Sequence, residues 1–117
     1  MKKVYYLSTC DTSQAIIKEN KLDKKGFELQ DIKTEKITPA QLDEMKQMAG
    51  SYEALFSRRA IKYKSLGFKN MELEEKDYRK YILEEYTFLK RPVIINGKEI
   101  FMGSEKKNLE ALKKSVG

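Results

Sequence analysis

The 117-residue chain has no histidine, no tryptophan and a single cysteine. Without histidine, neither Cys-His nor Ser-His nucleophile pairs can form, and ordinary zinc sites are also excluded, so no metal is expected. A lone cysteine rules out an internal disulfide framework and fits a reducing, cytoplasmic compartment. The six glycines form no phosphate-cradling loop. No apolar stretch approaches the length of a membrane span. Met1, Lys2 and Lys3 followed by Val4 to Leu7 is too short for a signal peptide, so no membrane attachment is expected. Arginine is scarce as well. Twenty of the 24 basic residues are lysines, scattered among 18 acids. Nucleic-acid readers usually gather arginine in a basic stripe, so a solvated lysine-rich surface with no direct nucleic-acid contact is the expectation. The net charge of +6 still attracts small anions.

What remains suits one folded domain, expected as a monomer. The chain is 40% hydrophobic and 36% charged, and seven tyrosines with five phenylalanines argue against disorder. Lys3 to Leu7 reads as a strand buried on both faces. From Asp11 the pattern turns helical, with Ala15, Ile16 and Ile17 as the apolar face. Phe27 to Ile32 begins with strand-like alternation. Together these make a β-α-β unit of parallel strands joined by a crossover helix.

Thr38-Pro39-Ala40-Gln41 carries the signature of a helix start: a capping hydroxyl, a preorganised first turn and a capping-box glutamine. Leu42, Met45, Met48 and Ala49 follow at helical spacing up to Gly50, and a short helix begins at Ser51 or Tyr52. Another helix is expected from about Leu73 to Tyr86. Asn96-Gly97 between Val93–Ile95 and Glu99–Met102 marks a β-hairpin. Ser104 then caps a last helix with Leu109, Leu112 and Val116 inward. The expectation is an α/β fold with a four-stranded mixed sheet, ordered β-α-β, helical insertion at about 38–87, then β-β-α.

This order places Cys10 between the first strand and the first helix, at the sheet edge where ligands of open α/β folds collect. A helix beginning at Asp11 or Thr12 offers unpaired N–H groups and the positive end of its dipole, and both favour thiolate. Ser13, one turn on, has a hydroxyl to donate, whereas the Asp11 carboxylate opposes ionisation if it faces the sulfur. The alternative is a small buried hydrophobe, but Ser8, Thr9, Asp11, Thr12 and Ser13 do not make an apolar surrounding. Ile16 occupies the sixth position beyond Cys10, so the Cys-x5-Arg phosphate cradle is absent. Any anion clamp must come from arginines elsewhere. Arg91 stands before Pro92 ahead of a strand, where it is either a clamp or a surface charge beside a turn. Of Arg58 and Arg59, one is expected to face solvent. Arg79 reads as surface pairing with Glu75 and Glu84.

The stretches "STCDTSQA" (8–15), "ALFSRRAIKYKSLG" (54–67) and "FLKRPVIINGKEIFMG" (88–103) resemble the arsenate reductase (ArsC) family of the thioredoxin-like fold. That family also contains the Spx-type transcription regulators. The resemblance implies a cis proline at Pro92, a nucleophilic Cys10 with Thr12 and Ser13 in its loop, and Arg91 as an oxyanion-binding residue. A second such arginine maps to Arg58 when the preceding helix is aligned from Gly50, and its place falls to Ser57 when aligned on Ala54-Leu55. The family's further arginines correspond to Gln14 and to the Met102-Gly103 region. The implied activity is a thiol-dependent oxidoreductase that binds no resident cofactor. Its substrate would be a small oxyanion or a thiol/disulfide, and its reductant glutathione or a glutaredoxin-type thiol. Because Ser13 stands where relatives place a second thiol, the implied cycle is monothiol. The alternative implied is an Spx-like regulator docking on the RNA polymerase α subunit.

Overall fold

The computed structural model describes residues 1–58, 67 and 72–117. Arg59 and most of the segment that follows it lie outside the described residues. The chain divides into two compact units, Met1–Lys36 with Arg91–Gly117, and Ile37–Lys90. No helix among the described residues is long and apolar enough to cross a membrane.

The first unit is an α/β layer. Strands β1 (Lys2–Tyr6), β2 (Glu28–Asp31), β3 (Val93–Asn96) and β4 (Glu99–Met102) form a mixed sheet in the order β2-β1-β3-β4. β1 runs parallel to β2 and antiparallel to β3, with Tyr5 opposite Val93. β1 is buried on both faces, as its apolar run implies: Lys3, Val4 and Tyr5 are all inside. Lys3 tolerates burial because its ammonium meets Glu28, its partner on β2, at 3.1 Å.

Helices α1 (Asp11–Glu19) and α4 (Lys106–Val116) supply Ile16, Ile17 and Leu112 to a core shared with Val4, Ile94 and Phe101. Each such side chain is worth roughly 1.5–3 kcal/mol when fully buried. The inward face of α1 is Ser13, Ile16 and Ile17, at i, i+3, i+4 spacing. Ala15, expected inward, is exposed, and a serine takes the inner position of the first turn. On β2, which lies at the sheet edge, Gln30 is buried and Leu29 exposed, the reverse of the expected alternation. The Gln30 amide is satisfied by the Glu35 carbonyl at 3.0 Å.

Two turn readings shift by a residue. Asn96 pairs with Glu99, so the hairpin's two-residue loop is Gly97-Lys98, with Gly97 at φ 64. Asn96 ends the strand and donates its side-chain amide to Ser115 Oγ at 2.8 Å. The last helix is preceded by Glu105 rather than Ser104. Asn108 organises this corner instead, accepting from Met102 N and donating to Gly103 O.

The second unit is helical. α2 (Pro39–Ala49) starts with the full Thr38/Gln41 capping box and ends at Gly50 in the left-handed conformation (φ 97). α3 (Glu75–Glu84) is shorter than expected at both ends, with its own capping box from Glu74 and Asp77. The segment expected to be helical after Gly50 is the single 3-10 turn Glu53–Leu55. Phe56 stacks on Phe88 with ring centres 5.1 Å apart and meets Tyr78 edge-on at 4.9 Å, forming this unit's aromatic centre.

Candidate active site

Tyr6 ends β1, and a turn closed by Cys10 N donating to Leu7 O (2.9 Å) delivers Cys10 to the helix start. Cys10 is the N-cap residue of α1, with φ −100 and ψ 108. An N-cap side chain ordinarily presents an oxygen to the N–H groups of the second and third helical residues. Here those residues are Thr12 and Ser13, and the group presented is sulfur. As a neutral thiol it makes no capping hydrogen bond; as a thiolate it is the acceptor this position calls for.

Burial pushes the half-buried Cys10 thiol up, but the opposing contributions together bring it below its ordinary value. The Ser13 hydroxyl lowers it most, followed by the Ser13 N–H, the positive charge of Arg91 and the Thr12 N–H. Ser13 is fully buried and its Oγ has no hydrogen-bond partner among the described residues, and its hydroxyl favours the Cys10 thiolate. Thr12 contributes through its backbone; its side chain is exposed.

Arg91 and Pro92 come from the segment leading into β3. The Arg91–Pro92 peptide bond is cis. Because Tyr5 pairs with Val93, Pro92 lies opposite the carboxyl end of β1, and its carbonyl accepts from Gly103 N at 2.9 Å. Cys10, Thr12, Ser13, Arg91 and Pro92 thus belong to one unit, and Thr12, Ser13 and Arg91 act on the Cys10 sulfur.

Arg58 belongs to the second unit, where it bonds Glu53 at 2.9 Å and the Tyr78 hydroxyl at 3.0 Å. This pairing holds the Glu53 carboxyl below its usual range. Arg79 does not pair with Glu75 and Glu84 as expected. It grips Asp43 through Nε (2.9 Å) and Nη2 (3.3 Å), and the Tyr52 hydroxyl donates to the same carboxylate at 2.6 Å. The Arg79 and Tyr52 bonds hold the Asp43 carboxyl at about 2. Glu75 instead accepts from Tyr52 N and Glu53 N, covering the start of the 3-10 turn.

Sequence reasoning missed the contacts that two residues make with the turn carrying the thiol. Gln14 Nε2 donates to Ser8 O at 2.6 Å, and Ser8 N donates to Asp31 Oδ1 at 3.2 Å. Asp31 ends β2, the parallel neighbour of β1, so a β-α-β reading places an acid there at the same sheet edge as Cys10. Burial raises the Asp31 carboxyl, but the Ser8 hydroxyl and the N–H groups of Ser8 and Lys33 outweigh it and lower the pKa overall.

The site thus combines a thiol at a helix start with an arginine from the segment that enters the neighbouring strand β3. The model of the ArsC family matches residues 5–112. The chain belongs to the ArsC family. No curated protein matches it by sequence. Among solved structures it is similar to a protein named YffB, with 19% identity, a TM-score of 0.79 and full coverage of both chains. It is also similar to the arsenate reductase from Vibrio cholerae (13% identity, TM-score 0.77, 98% of each chain). A third likeness is to an arsenate reductase (ArsC) related protein from Brucella melitensis, at 20% identity and TM-score 0.72, covering 94% of this chain and 92% of the other. These likenesses establish the fold of this ArsC-family chain, which is thioredoxin-like.

Proposed function

We propose that the chain is a thiol-dependent oxidoreductase of the arsenate reductase type, working through Cys10 in a monothiol, Cys-x-x-Ser cycle. The observation that supports it is the N-cap sulfur with its pKa lowered by Ser13, backbone N–H groups and Arg91. With an oxyanion such as arsenate, the thiolate bonds to arsenic and displaces an oxygen as water. An external thiol, from glutathione or a glutaredoxin-type protein, then attacks the Cys10 sulfur. The S–As bond breaks with its electron pair going to arsenic, reducing As(V) to As(III), while Cys10 enters a mixed disulfide. A second external thiol attacks that disulfide, releases Cys10 and leaves the reductant oxidised. Ser13 cannot take this last step, so the resolving thiol comes from outside.

Arg91 is the guanidinium assigned to the anion; Arg58, the second candidate, pairs with Glu53 inside its own unit. Where the family carries further arginines, this chain has Gln14 and the Met102-Gly103 pair. Each lost charge-assisted contact is worth about 1.5–3 kcal/mol, or one to two decades of affinity. A disulfide substrate, which needs no multiple anion clamp, fits the site as well as arsenate does.

Mass spectrometry after incubation with oxidised glutathione tests the reading. A single mixed disulfide at Cys10 is expected in the native chain and none in Cys10→Ser, with protection by arsenate if the oxyanion binds. A chain that remains unmodified, with its thiol still titratable, would overturn it.

A further inference from the structure

Cys10 does not stand at the helix start unaided: the turn before it is held from both sides. The turn runs Leu7-Ser8-Thr9-Cys10 and is closed by one backbone bond. Both polar backbone groups of Ser8 are taken by side chains from outside the turn. Its N–H goes to Asp31 Oδ1 at the end of β2, and its carbonyl to Gln14 Nε2 in the first turn of α1. Asp31 Oδ1 also accepts from Lys33 N at 3.2 Å, which ties the carboxylate to its own loop. Gln14 closes a ring, because its backbone N–H binds Cys10 O at 3.2 Å while its side chain reaches back to Ser8.

We propose that Gln14 and Asp31 are positioning residues for the nucleophile, fixing the Ser8 peptide units so that the sulfur of Cys10 is held against the Ser13 hydroxyl and the first free N–H groups of α1. This rests on the reading of Cys10 as the nucleophile. The physical reason is geometric. A turn with a single closing bond leaves the dihedrals of its two central residues loosely determined, and Ser8 is the first of these. Fixing both flanking peptide planes removes that freedom before the substrate arrives, which is how a supporting set of contacts preorganises a reacting atom. The commitment also explains the use of glutamine. An amide reaches the Ser8 carbonyl with a neutral donor and is occupied there, so Gln14 braces the loop and Arg91 supplies the charge at the sulfur.

The test is the pH dependence of Cys10 alkylation by iodoacetamide in the full chain, with a thermal melt of each variant alongside. Gln14→Leu keeps the length and loses the donor; Asp31→Ala loses the acceptor; Asp31→Asn keeps an oxygen for the Ser8 N–H. The expected result is an alkylation midpoint shifted upward in Gln14→Leu and Asp31→Ala. Their rate at neutral pH should fall about threefold or more, since thiolate falls about tenfold for each unit of pKa rise. Asp31→Asn should restore most of that loss. Native-like midpoints in both Gln14→Leu and Asp31→Ala would overturn the proposal. So would a rate loss at every pH without a midpoint shift, which is what a merely structural role predicts. If Gln14→Leu failed to fold, Asp31→Ala against Asp31→Asn decides the matter alone. An ordinary midpoint in the native chain itself would instead defeat the reading of Cys10 as an activated nucleophile.

Discussion

In the second unit, Arg58 and Arg79 each grip a carboxylate at 2.9 Å and share it with a tyrosine hydroxyl, whereas in the first unit the charge of Arg91 acts on a sulfur. The charge distribution runs the same way. The first unit's sequence holds 14 basic and nine acidic residues, and the second holds ten and nine. Where charge is nearly balanced, a guanidinium is satisfied by neighbouring carboxylates and serves local structure. Where positive charge is in excess, the summed field favours anions, and the Cys10 thiolate is one that it favours. Residue type alone therefore does not say what an arginine acts on; its neighbours do.

The comparison can be broken first at the packing that holds the second unit. Phe88 is buried and stacked on Phe56, so Phe88→Ala should cost about 3–5 kcal/mol in denaturant unfolding. A loss below about 1 kcal/mol would mean that the aromatic centre does not organise that unit. In the first unit, Ser13→Ala separates function from stability. It removes the hydroxyl that lowers the thiol most, so the alkylation midpoint should rise. It also removes a buried oxygen with no conventional partner, so the melting temperature should stay level or increase. A drop in both would show that Ser13 is structural. Thr12→Ala is the control, since Thr12 acts through its N–H, and it should leave the midpoint in place.

The smallest effect belongs to the Arg79–Asp43–Tyr52 group. The Asp43 carboxyl lies at about 2 in the folded chain, against about 3.9 unfolded, so the folded state binds the proton more weakly. The contribution is complete above about pH 4 and is lost as pH falls through about 2. Asp43→Asn should flatten that part of the melting-temperature profile between pH 4 and pH 2 while lowering stability slightly at neutral pH. An unchanged acid slope would remove Asp43 from the account.

Local signals in the sequence proved dependable where the structure is local. The Thr38/Gln41 capping box, the stop at Gly50, the β-α-β order and the place of Cys10 all depend on neighbours a few residues apart. The misreadings share a cause. Asp43 and Arg79 are 36 residues apart and Asp31 lies 23 from Ser8, so no spacing rule joins them. Ser13 was legible as a donor to Cys10 but not as the buried first-turn position, because burial there is decided by the helix's rotation against the sheet. Periodicity pointed to Ala15 since alanine counts as apolar and serine does not. At the hairpin, Asn96-Gly97 located the turn, and only the strand register showed that Gly97-Lys98 forms the loop.

The most direct test of the central claim is titration of the Cys10 thiol by the ultraviolet absorbance of its thiolate, with Cys10→Ser as the blank and Arg91→Ala alongside. The account predicts a midpoint below the ordinary value of about 8.5 in the native chain, moving up when Arg91 is removed. A native midpoint at or above about 8.5, unmoved by Arg91→Ala, would contradict it.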